Sequence, residues 1–228
     1  MNVRLLSNHV ETPTTRRIRL SLDGGRFSYR AGQSASLSAG GLPTPYSIAS
    51  APAETARHGW LEFLVKVDGS SRFGALVDTL LSDARVDLDG PSGLFTLDSV
   101  APGTPVLFIA GGTGIAPVRS MIRETVESGH DGRPLALLYS SRTPDEFAYL
   151  SELKELATAG HLTLTLTLTG DAQGWAHARG RAGIAHLAEL VRDDTTAFIC
   201  GPPSMVGELR SALASLGVGS GRIVTENW

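Results

Sequence analysis

Two glycine-containing turns in the second half of the chain have the composition of ligand-binding loops. The stretch FIAGGTGIAP (108–117) places glycines directly after an apolar run and before a helical pattern. Glycine lets a backbone approach a pyrophosphate closely, and a helix N-terminus offers unpaired N–H groups. Because the stretch lacks the usual G-x-G-x-x-G spacing, taken alone it also fits a tight strand–helix connection. Its position after the strand that opens an α/β pattern favours a nucleotide site.

The second turn, ICGPPSM (199–205), carries the single cysteine of the chain, Cys200. Open α/β sheets bind ligands at the carboxyl ends of their strands, so Cys200 would lie at the same rim as Gly111 and Gly112. A single thiol is more often a buried structural residue, and spacing alone favours that interpretation. One cysteine excludes an internal disulfide, a Cys-cluster zinc site and a Cys-ligated iron–sulfur cluster.

The first hundred residues show the patterns of antiparallel strands. Alternating runs separated by turn signals predict strands over VRLLSNHV (3–10), RRIRLSL (16–22) and LEFLVKV (61–67). The run RFGALVDTLL (72–81) has helical spacing. Several short strands at this spacing predict a small barrel or sandwich.

Strand and helix patterns alternate from about residue 101 onward, which predicts an open parallel α/β sheet. The segments, in order, are VLFIA, PVRSMIRETVES, LALLYS, EFAYLSELKELA, HLTLTLTL, GIAHLAELV, TAFICG, MVGELRSALASL and RIVTEN. HLTLTLTL has a strict period of two, which favours a strand over low complexity. We therefore predict two domains, residues 1–100 and residues 101–228.

The composition is that of an ordinary globular protein. The chain has 228 residues, 42% hydrophobic and 19% charged, with a net charge of −3. This balance favours neither nucleic acid nor an anionic membrane as a partner. The sequence shows no signal-peptide pattern and no apolar run of membrane-spanning length, so we expect a cytoplasmic protein. The six histidines show no ligand spacing, and no metal site is expected.

Several short motifs occur in an order that resembles the ferredoxin–NADP reductase family over nearly the whole chain. They are PYSIAS, a Gly/Ser segment, GPSGLF, IAGGTGIAP, CGPP and a terminal ENW. The resemblance implies an antiparallel flavin-binding β-barrel followed by a Rossmann-like NAD(P)-binding domain, with FAD as the flavin. It also implies hydride transfer from NAD(P)H to FAD. Because the chain has no iron–sulfur domain, the acceptor would be external: a ferredoxin, a flavodoxin or an oxygenase component.

The first flavin motif of the family is Arg-x-Tyr-Ser, and it matches Thr44, Pro45, Tyr46 and Ser47 here. By this resemblance Tyr46 packs against the flavin ring and Ser47 lies near the flavin N5. Thr44 departs from the motif, because the family's arginine holds the flavin phosphate. A threonine supplies no charge, and charge-assisted hydrogen bonds are roughly twice as strong as neutral ones.

The second flavin motif matches DGSSRFGAL (68–76), ahead of a predicted helix. The resemblance places the pyrophosphate beside Gly69, Ser70, Ser71 and Phe73. Arg72 falls inside this segment, and we expect it either to replace the charge missing at Thr44 or to be a solvated loop residue. Val65 and Lys66 match the family's strand that lines the flavin ring.

In the second domain, the family's pyrophosphate turn matches Gly111, Gly112, Thr113, Gly114 and Pro117. The resemblance places Cys200 beside the nicotinamide, with Gly201 and Pro202 in the same Cys-Gly motif. Glu226 matches a glutamate that joins the serine and the cysteine. Trp228 matches a terminal aromatic residue that covers the flavin ring. A tryptophan packed on the surface is the alternative.

The basic residues indicate which nicotinamide cofactor is used. Arg142 and Arg181 match basic positions of NADP-using bacterial members, and a 2′-phosphate favours arginine. A third basic position is occupied by Gly170, and the following Asp171 would suit the 2′-hydroxyl of NADH. We therefore expect NADP(H) to be favoured over NAD(H).

Two other functions are compatible with these motifs. A flavin reductase that releases its flavin would suit the uncharged Thr44. A non-catalytic electron-relay or regulatory subunit would keep the fold, but it has no reason to retain Ser47, Cys200 and Glu226 together.

Overall fold

The computed structural model describes residues 1–67, 69, 71–129, 131–170 and 173–227, and their strands form two six-stranded sheets. The first sheet is antiparallel, with the order β4-β3-β6-β1-β2-β5. Its strands are β1 (Asn2–Thr12), β2 (Thr15–Ser21), β3 (Ser34–Ser38), β4 (Thr44–Ser47), β5 (Trp60–Lys66) and β6 (Arg85–Ser92).

The two ends of the first sheet meet, so the sheet closes on itself. Just after β4, Ile48 forms an antiparallel bridge with Phe63 of β5, and the Ala49 N–H donates to the Glu62 carbonyl at 2.8 Å. This closure confirms the predicted flavin-binding type of β-barrel. The barrel interior is apolar, because alternate residues of its strands point inward, among them Leu5, Ile18 and Phe63.

Two short helices belong to the barrel, α1 (Pro52–His58) and α2 (Arg72–Val77). The sequence patterns did not predict α1, although Pro52 at its first position and Glu54, which accepts from the Ala51 N–H at 2.9 Å, are helix-start signals. The predicted helix over residues 72–81 ends at Val77.

The second sheet is parallel, with the order β10-β9-β8-β7-β11-β12, which confirms the predicted open α/β sheet. Its strands are β7 (Val106–Gly111), β8 (Leu135–Ser141), β9 (Thr163–Leu168), β10 (Ala178–Arg179), β11 (Thr196–Gly201) and β12 (Ile223–Asn227). The helices are α3 (Ile115–Glu127), α4 (Leu150–Thr158), α5 (Ile184–Ala188) and α6 (Pro203–Ser215).

Helix α4 begins four residues later than its apolar pattern predicts. Tyr149, just before it, has a left-handed φ of 58°, and its N–H donates to the Glu11 carboxylate at 2.7 Å. A residue in that conformation cannot continue a right-handed helix toward the N-terminus. The contact with β1 therefore sets the start of α4, at a position that local spacing does not reveal.

Apolar layers cover both faces of the parallel sheet. One layer packs under α3 and α4, and it includes Leu166 and Leu168 of the leucine–threonine strand β9. The same layer takes in Leu64 from the outer face of β5, so the barrel packs directly against the second sheet. The other layer lies under α5 and α6. Among the residues that the structure describes, no helix is long and apolar enough to cross a membrane.

Candidate active site

The order of the parallel strands creates a crevice at the carboxyl ends of β7 and β11. The chain passes outward from β7 to β8 and later returns to place β11 on the other side of β7. Such a switch point is where open α/β sheets bind ligands, because the loops after the two strands diverge there. Cys200 of β11 pairs in register with Ala110 of β7 and with Glu226 of β12.

The glycine turn after β7 is held against β11 by backbone contacts. A Cβ atom at Gly114 would lie 2.2 Å from the Cys200 carbonyl oxygen, and one at Gly111 would lie 2.7 Å from the Met205 sulfur. Only glycine fits at Gly114 without moving the backbone. Gly112 has a left-handed φ of 54° and, like Thr113, is partly exposed. These two residues are available to a ligand.

The remaining residues of the predicted pyrophosphate site divide between crevice and interior. Pro117 is buried within the first turn of α3, so its role is to shape the helix start. Gly201 and Pro202 follow Cys200 directly, and a Cβ atom at Gly201 would lie 2.7 Å from the Met205 methyl carbon. The two turns thus pack on each other through Met205, and the sequence gives no sign of this contact.

Three predicted catalytic residues from distant parts of the chain lie together. The Ser47 hydroxyl at the end of β4 donates to Glu226 Oε1 at 3.0 Å. Glu226 is the register partner of Cys200. Barrel and parallel sheet therefore each contribute polar groups to one place, as the sequence motifs imply. Trp228, the fourth predicted catalytic residue, lies outside the described residues.

Burial changes the acidity of two groups in this cluster. Desolvation raises the pKa of the Glu226 carboxyl, and the hydrogen bond from Ser47 offsets only part of that rise. Desolvation also raises the pKa of the Cys200 thiol, and the neighbouring Glu226 adds to the effect. Cys200 is 1% exposed and stays a neutral thiol. The cluster can therefore hold a proton on Glu226 more readily than an exposed glutamate does.

The two predicted flavin motifs meet at Tyr46. Its hydroxyl lies 2.6 Å from the Ser71 hydroxyl, and its ring centroid is 5.7 Å from that of Phe73. Ser71 also accepts from the Gly74 N–H at 2.9 Å, which caps α2. Tyr46 is therefore held by the second motif while its ring stays half-buried.

The residues around these motifs differ in what they can offer to a ligand. The side chains of Val65 and Phe73 are buried in the barrel core, so only their backbone groups are available. Lys66 and Thr44 are half-buried, and Pro45 is exposed on the edge strand β4. Gly69 has a left-handed φ of 79° with open space at its Cβ position. Ser70 lies outside the described residues.

Arg72 is exposed at the first position of α2 and forms no ion pair or hydrogen bond with another described residue. No hydrogen bond joins it to Thr44 in the described part of the chain. Its guanidinium is thus available to pair with a phosphate, as it must be if Arg72 replaces the charge missing at Thr44.

The basic residues expected at the nicotinamide cofactor lie after β8 and around β10. Arg142 is exposed directly after β8. Arg181 pairs with Glu208 at 2.9 Å, and both side chains are largely exposed. Arg179 of β10 was not singled out from the sequence, and it is exposed two positions before Arg181. Asp171 lies outside the described residues.

Two features of the site were missed by sequence reasoning. Gly93, in the GPSGLF motif, lies beside the cluster: a Cβ atom there would be 3.9 Å from Glu226 Oε2. Gly93 has a positive φ of 100°, a backbone conformation that other residues rarely adopt, which explains the glycine at this position. Arg119 of α3 is buried against the barrel, and the only sequence signal is a charge inside the apolar run IAPVRSMI. Within the described ranges, no cluster of His, Cys, Asp and Glu is arranged to hold a metal ion.

The chain is similar to known reductases. Residues 108–211 match the oxidoreductase NAD-binding domain family. The chain is 34% identical over 213 residues to ferredoxin–NADP reductase B of Sorangium cellulosum, which covers 86% of this chain and 84% of the relative. It is 31% identical over 193 residues to the reductase component of propane 2-monooxygenase from Mycolicibacterium smegmatis. The aligned region covers 81% of this chain and 55% of that reductase component. This chain thus spans about half the length of that reductase component.

Solved structures share the whole arrangement of barrel and parallel sheet. The Amycolatopsis cytochrome P450 reductase GcoB superposes with a TM-score of 0.87 at 26% identity, over 100% of this chain and 69% of that one. A ferredoxin NADP+ reductase from Neisseria gonorrhoeae with bound FAD and NADP superposes with a TM-score of 0.84 at 20% identity, over 100% and 98% of the two chains. The second of these similarities shows the fold alone.

Proposed function

Because this chain belongs to the ferredoxin–NADP reductase family, we propose that it is an FAD-containing reductase that takes electrons from NAD(P)H and passes them to an external one-electron carrier. The observation that carries the proposal is the 3.0 Å hydrogen bond from Ser47 to Glu226, beside Cys200. It joins the barrel to the carboxyl edge of the parallel sheet. A non-catalytic subunit that only kept the fold would have no need of this contact.

The residues of the barrel fit a flavin. Tyr46 presents a half-buried aromatic ring whose hydroxyl is held by Ser71. Gly69 leaves open space for a phosphate, and Arg72 offers an unpaired charge among the described residues. FAD, when bound, accepts two electrons as hydride and releases them singly, and the protein supplies binding and orientation.

Ser47 and Glu226 would control a proton at the reacting centre. When Glu226 is ionised, the serine hydroxyl donates to it, as in the structure. When Glu226 is protonated, its carboxyl proton is donated to Ser47 Oγ, and the serine proton becomes free for another acceptor. Burial raises the pKa of Glu226, so this second state is more accessible than it is for an exposed glutamate. Cys200 stays neutral, so it adds no negative charge beside an approaching nicotinamide.

NADP(H) is the proposed nicotinamide cofactor. Gly112 and Thr113 are partly exposed at the switch-point crevice, where a pyrophosphate binds in open α/β sheets. Arg142 and Arg179 add exposed positive charge near the ends of β8 and β10, which favours a 2′-phosphate. This pyridine nucleotide is a reductant of the cytoplasm, which supports the expected location there.

The proposed electron acceptor is a separate protein. The similarity to a reductase component of an oxygenase supports an oxygenase component or a small carrier such as ferredoxin or flavodoxin. A second candidate function, an NAD(P)H:flavin reductase that releases reduced flavin, is favoured by one observation. Thr44 occupies the position of the phosphate-binding arginine and carries no charge.

An anaerobic titration tests the proposal. The purified protein is titrated with NADPH and, separately, with NADH while the flavin absorbance is followed. We expect co-purified flavin to be bleached by both nucleotides, at lower concentration by NADPH, and the preference to fall in Arg142→Ala. Flavin that is reduced only when added in excess, and that leaves on gel filtration, would favour the flavin reductase. Absence of any flavin reduction would refute both.

A further inference from the structure

A buried arginine on α3 connects the second sheet to the barrel. Arg119 is 5% exposed, and its Nη1 donates to the Ala49 carbonyl at 2.7 Å. Its two terminal nitrogens also donate to both oxygens of Glu54, at 3.1 and 3.2 Å. On the other side, Nε donates to Glu152 of α4 at 3.0 Å. One guanidinium therefore holds Ala49 and helix α1 of the barrel against helices α3 and α4 in a single geometry.

The next residue of α3 makes a second bond of the same kind. The Ser120 hydroxyl is fully buried and donates to the Ser50 carbonyl at 2.6 Å. Arg119 and Ser120 thus donate hydrogen bonds to two consecutive carbonyls, those of Ala49 and Ser50. This barrel segment begins two residues after Ser47, the residue that donates to Glu226. We call Arg119 and Ser120 the α3 clamp.

The same helix is fixed to the nicotinamide side of the crevice. Helix α3 begins immediately after Gly114, which packs on the Cys200 carbonyl so closely that a Cβ atom would lie 2.2 Å from it. Arg119 lies five positions after Gly114. Through α3, the clamp therefore links the backbone beside Ser47 to the backbone at Cys200.

Stability alone does not account for the clamp. Replacing a buried ion pair by well-packed apolar residues is often neutral or stabilising, because desolvating the charges is costly. A guanidinium instead supplies planar, bidentate hydrogen bonds that fix orientation. A fixed orientation is what a reaction between groups on two different domains requires, since a misplacement of about 1 Å can cost about 100-fold in rate.

We propose that Arg119 and Ser120 are positioning residues that set the distance and angle between the Ser47 side and the Cys200 side of the site. The inference rests on the proposed reductase function, because the quantity that the clamp controls is the approach of the two cofactor rings. Neither residue touches the crevice groups themselves, and both act through the backbone.

Transient kinetics on the flavin-loaded full chain separate positioning from general stability. The limiting rate of flavin reduction and the dissociation constant of NADPH are measured for Ser120→Ala, Arg119→Lys and the matched control Thr125→Val. Thr125 also lies in α3, is buried, and donates to Met121 within the helix at 2.9 Å, so its loss removes a comparable bond that does not reach the barrel.

We expect Ser120→Ala to lower the limiting rate about tenfold or more, with flavin content unchanged and the NADPH dissociation constant within about threefold. Arg119→Lys keeps the charge but not the bidentate geometry, so its rate should fall further, and the double variant should lose less than the product of the two effects. Thr125→Val should stay within about twofold of the parent. Should Arg119→Lys fail to bind flavin, Ser120→Ala still decides.

The inference would be overturned if Ser120→Ala and Thr125→Val had equal limiting rates of flavin reduction and equal losses of thermal midpoint. A parent protein whose flavin is not reduced by either nucleotide would refute the proposed function instead. The two failures are thus distinguished in one set of experiments.

Discussion

Replacing Gly114 by alanine tests the contact between the glycine turn and β11. The added Cβ would lie 2.2 Å from the Cys200 carbonyl oxygen and 2.6 Å from its carbon, whereas ordinary contact begins at 3.4 Å. Gly114 has an ordinary φ of −59°, so alanine brings no backbone penalty of its own. The clash is with backbone, and relief requires a shift of about 1 Å between α3 and β11.

This shift has two measurable consequences. Overpacking of this kind costs about 1–3 kcal/mol, which lowers the thermal midpoint of a protein of this size by roughly 2–12 °C. The shift also moves Cys200 relative to Glu226, so we expect the limiting rate of flavin reduction to fall about 100-fold. Differential scanning calorimetry measures the first effect, and anaerobic stopped-flow absorbance measures the second.

Gly207→Ala is the matched control. Gly207 lies within α6, and a Cβ atom there would meet nothing within 4 Å. Alanine should stabilise this helix by about 0.5–1 kcal/mol and leave the reduction rate unchanged. A Gly114→Ala protein with parental midpoint and rate would refute the reasoning, because the turn would then not be seated on β11 as described.

Three further substitutions test the barrel side of the site. Ser47→Ala removes the hydrogen bond to Glu226, worth about 1 kcal/mol, and should slow flavin reduction at unchanged flavin content; equal stopped-flow rates would contradict the proton role. Arg72→Ala should weaken FAD binding about 10- to 100-fold by losing a charge-assisted bond, measured by flavin fluorescence, whereas the exposed Arg210→Ala on α6 should not. In Glu226→Gln the stability relative to the parent should increase as pH rises above about 4.3, the usual pKa of an unfolded glutamate, measured by urea unfolding. The pKa of Glu226 is higher in the folded than in the unfolded protein. Its contribution to stability is therefore fully present below the unfolded-state pKa and is lost as pH rises through the folded-state pKa. Glutamine does not ionise, so the variant does not lose this contribution. A gain independent of pH would show that Glu226 does not titrate in this way.

The pattern of the elements was predictable because it is local. Continuous apolar runs indicate parallel strands that are buried on both faces, and β7 and β11 lie where such runs occur. The strict alternation of β9 likewise predicted a strand. The ends of α2 and α4 were less predictable, because they depend on side chains and on contacts with other elements. The sequence predicted α4 to start before Tyr149, whose conformation is set by Glu11 of β1.

The family resemblance predicted that Glu226 joins Ser47 and Cys200, but no local pattern in the sequence shows how the fold brings these residues together. Ser47 and Glu226 are 179 residues apart, and only the closed barrel packed on the parallel sheet brings them to 3.0 Å. Likewise, Tyr46 reaches Ser71 because the chain just after β4 bridges β5, the strand that leads toward Ser71.

The sequence by itself therefore determined the two kinds of sheet, the glycine turns and the residue types of the site, because periodicity and turn chemistry act over a few residues. The tertiary structure alone decided why Gly114 must be glycine and why a charge lies in the middle of α3. Both depend on backbone atoms that are distant in sequence: the Cys200 carbonyl for Gly114 and the Ala49 carbonyl for Arg119. No local pattern encodes the approach of such atoms. For Gly114 it results from the pairing of β11 beside β7 in the parallel sheet, and for Arg119 from the packing of the barrel against that sheet.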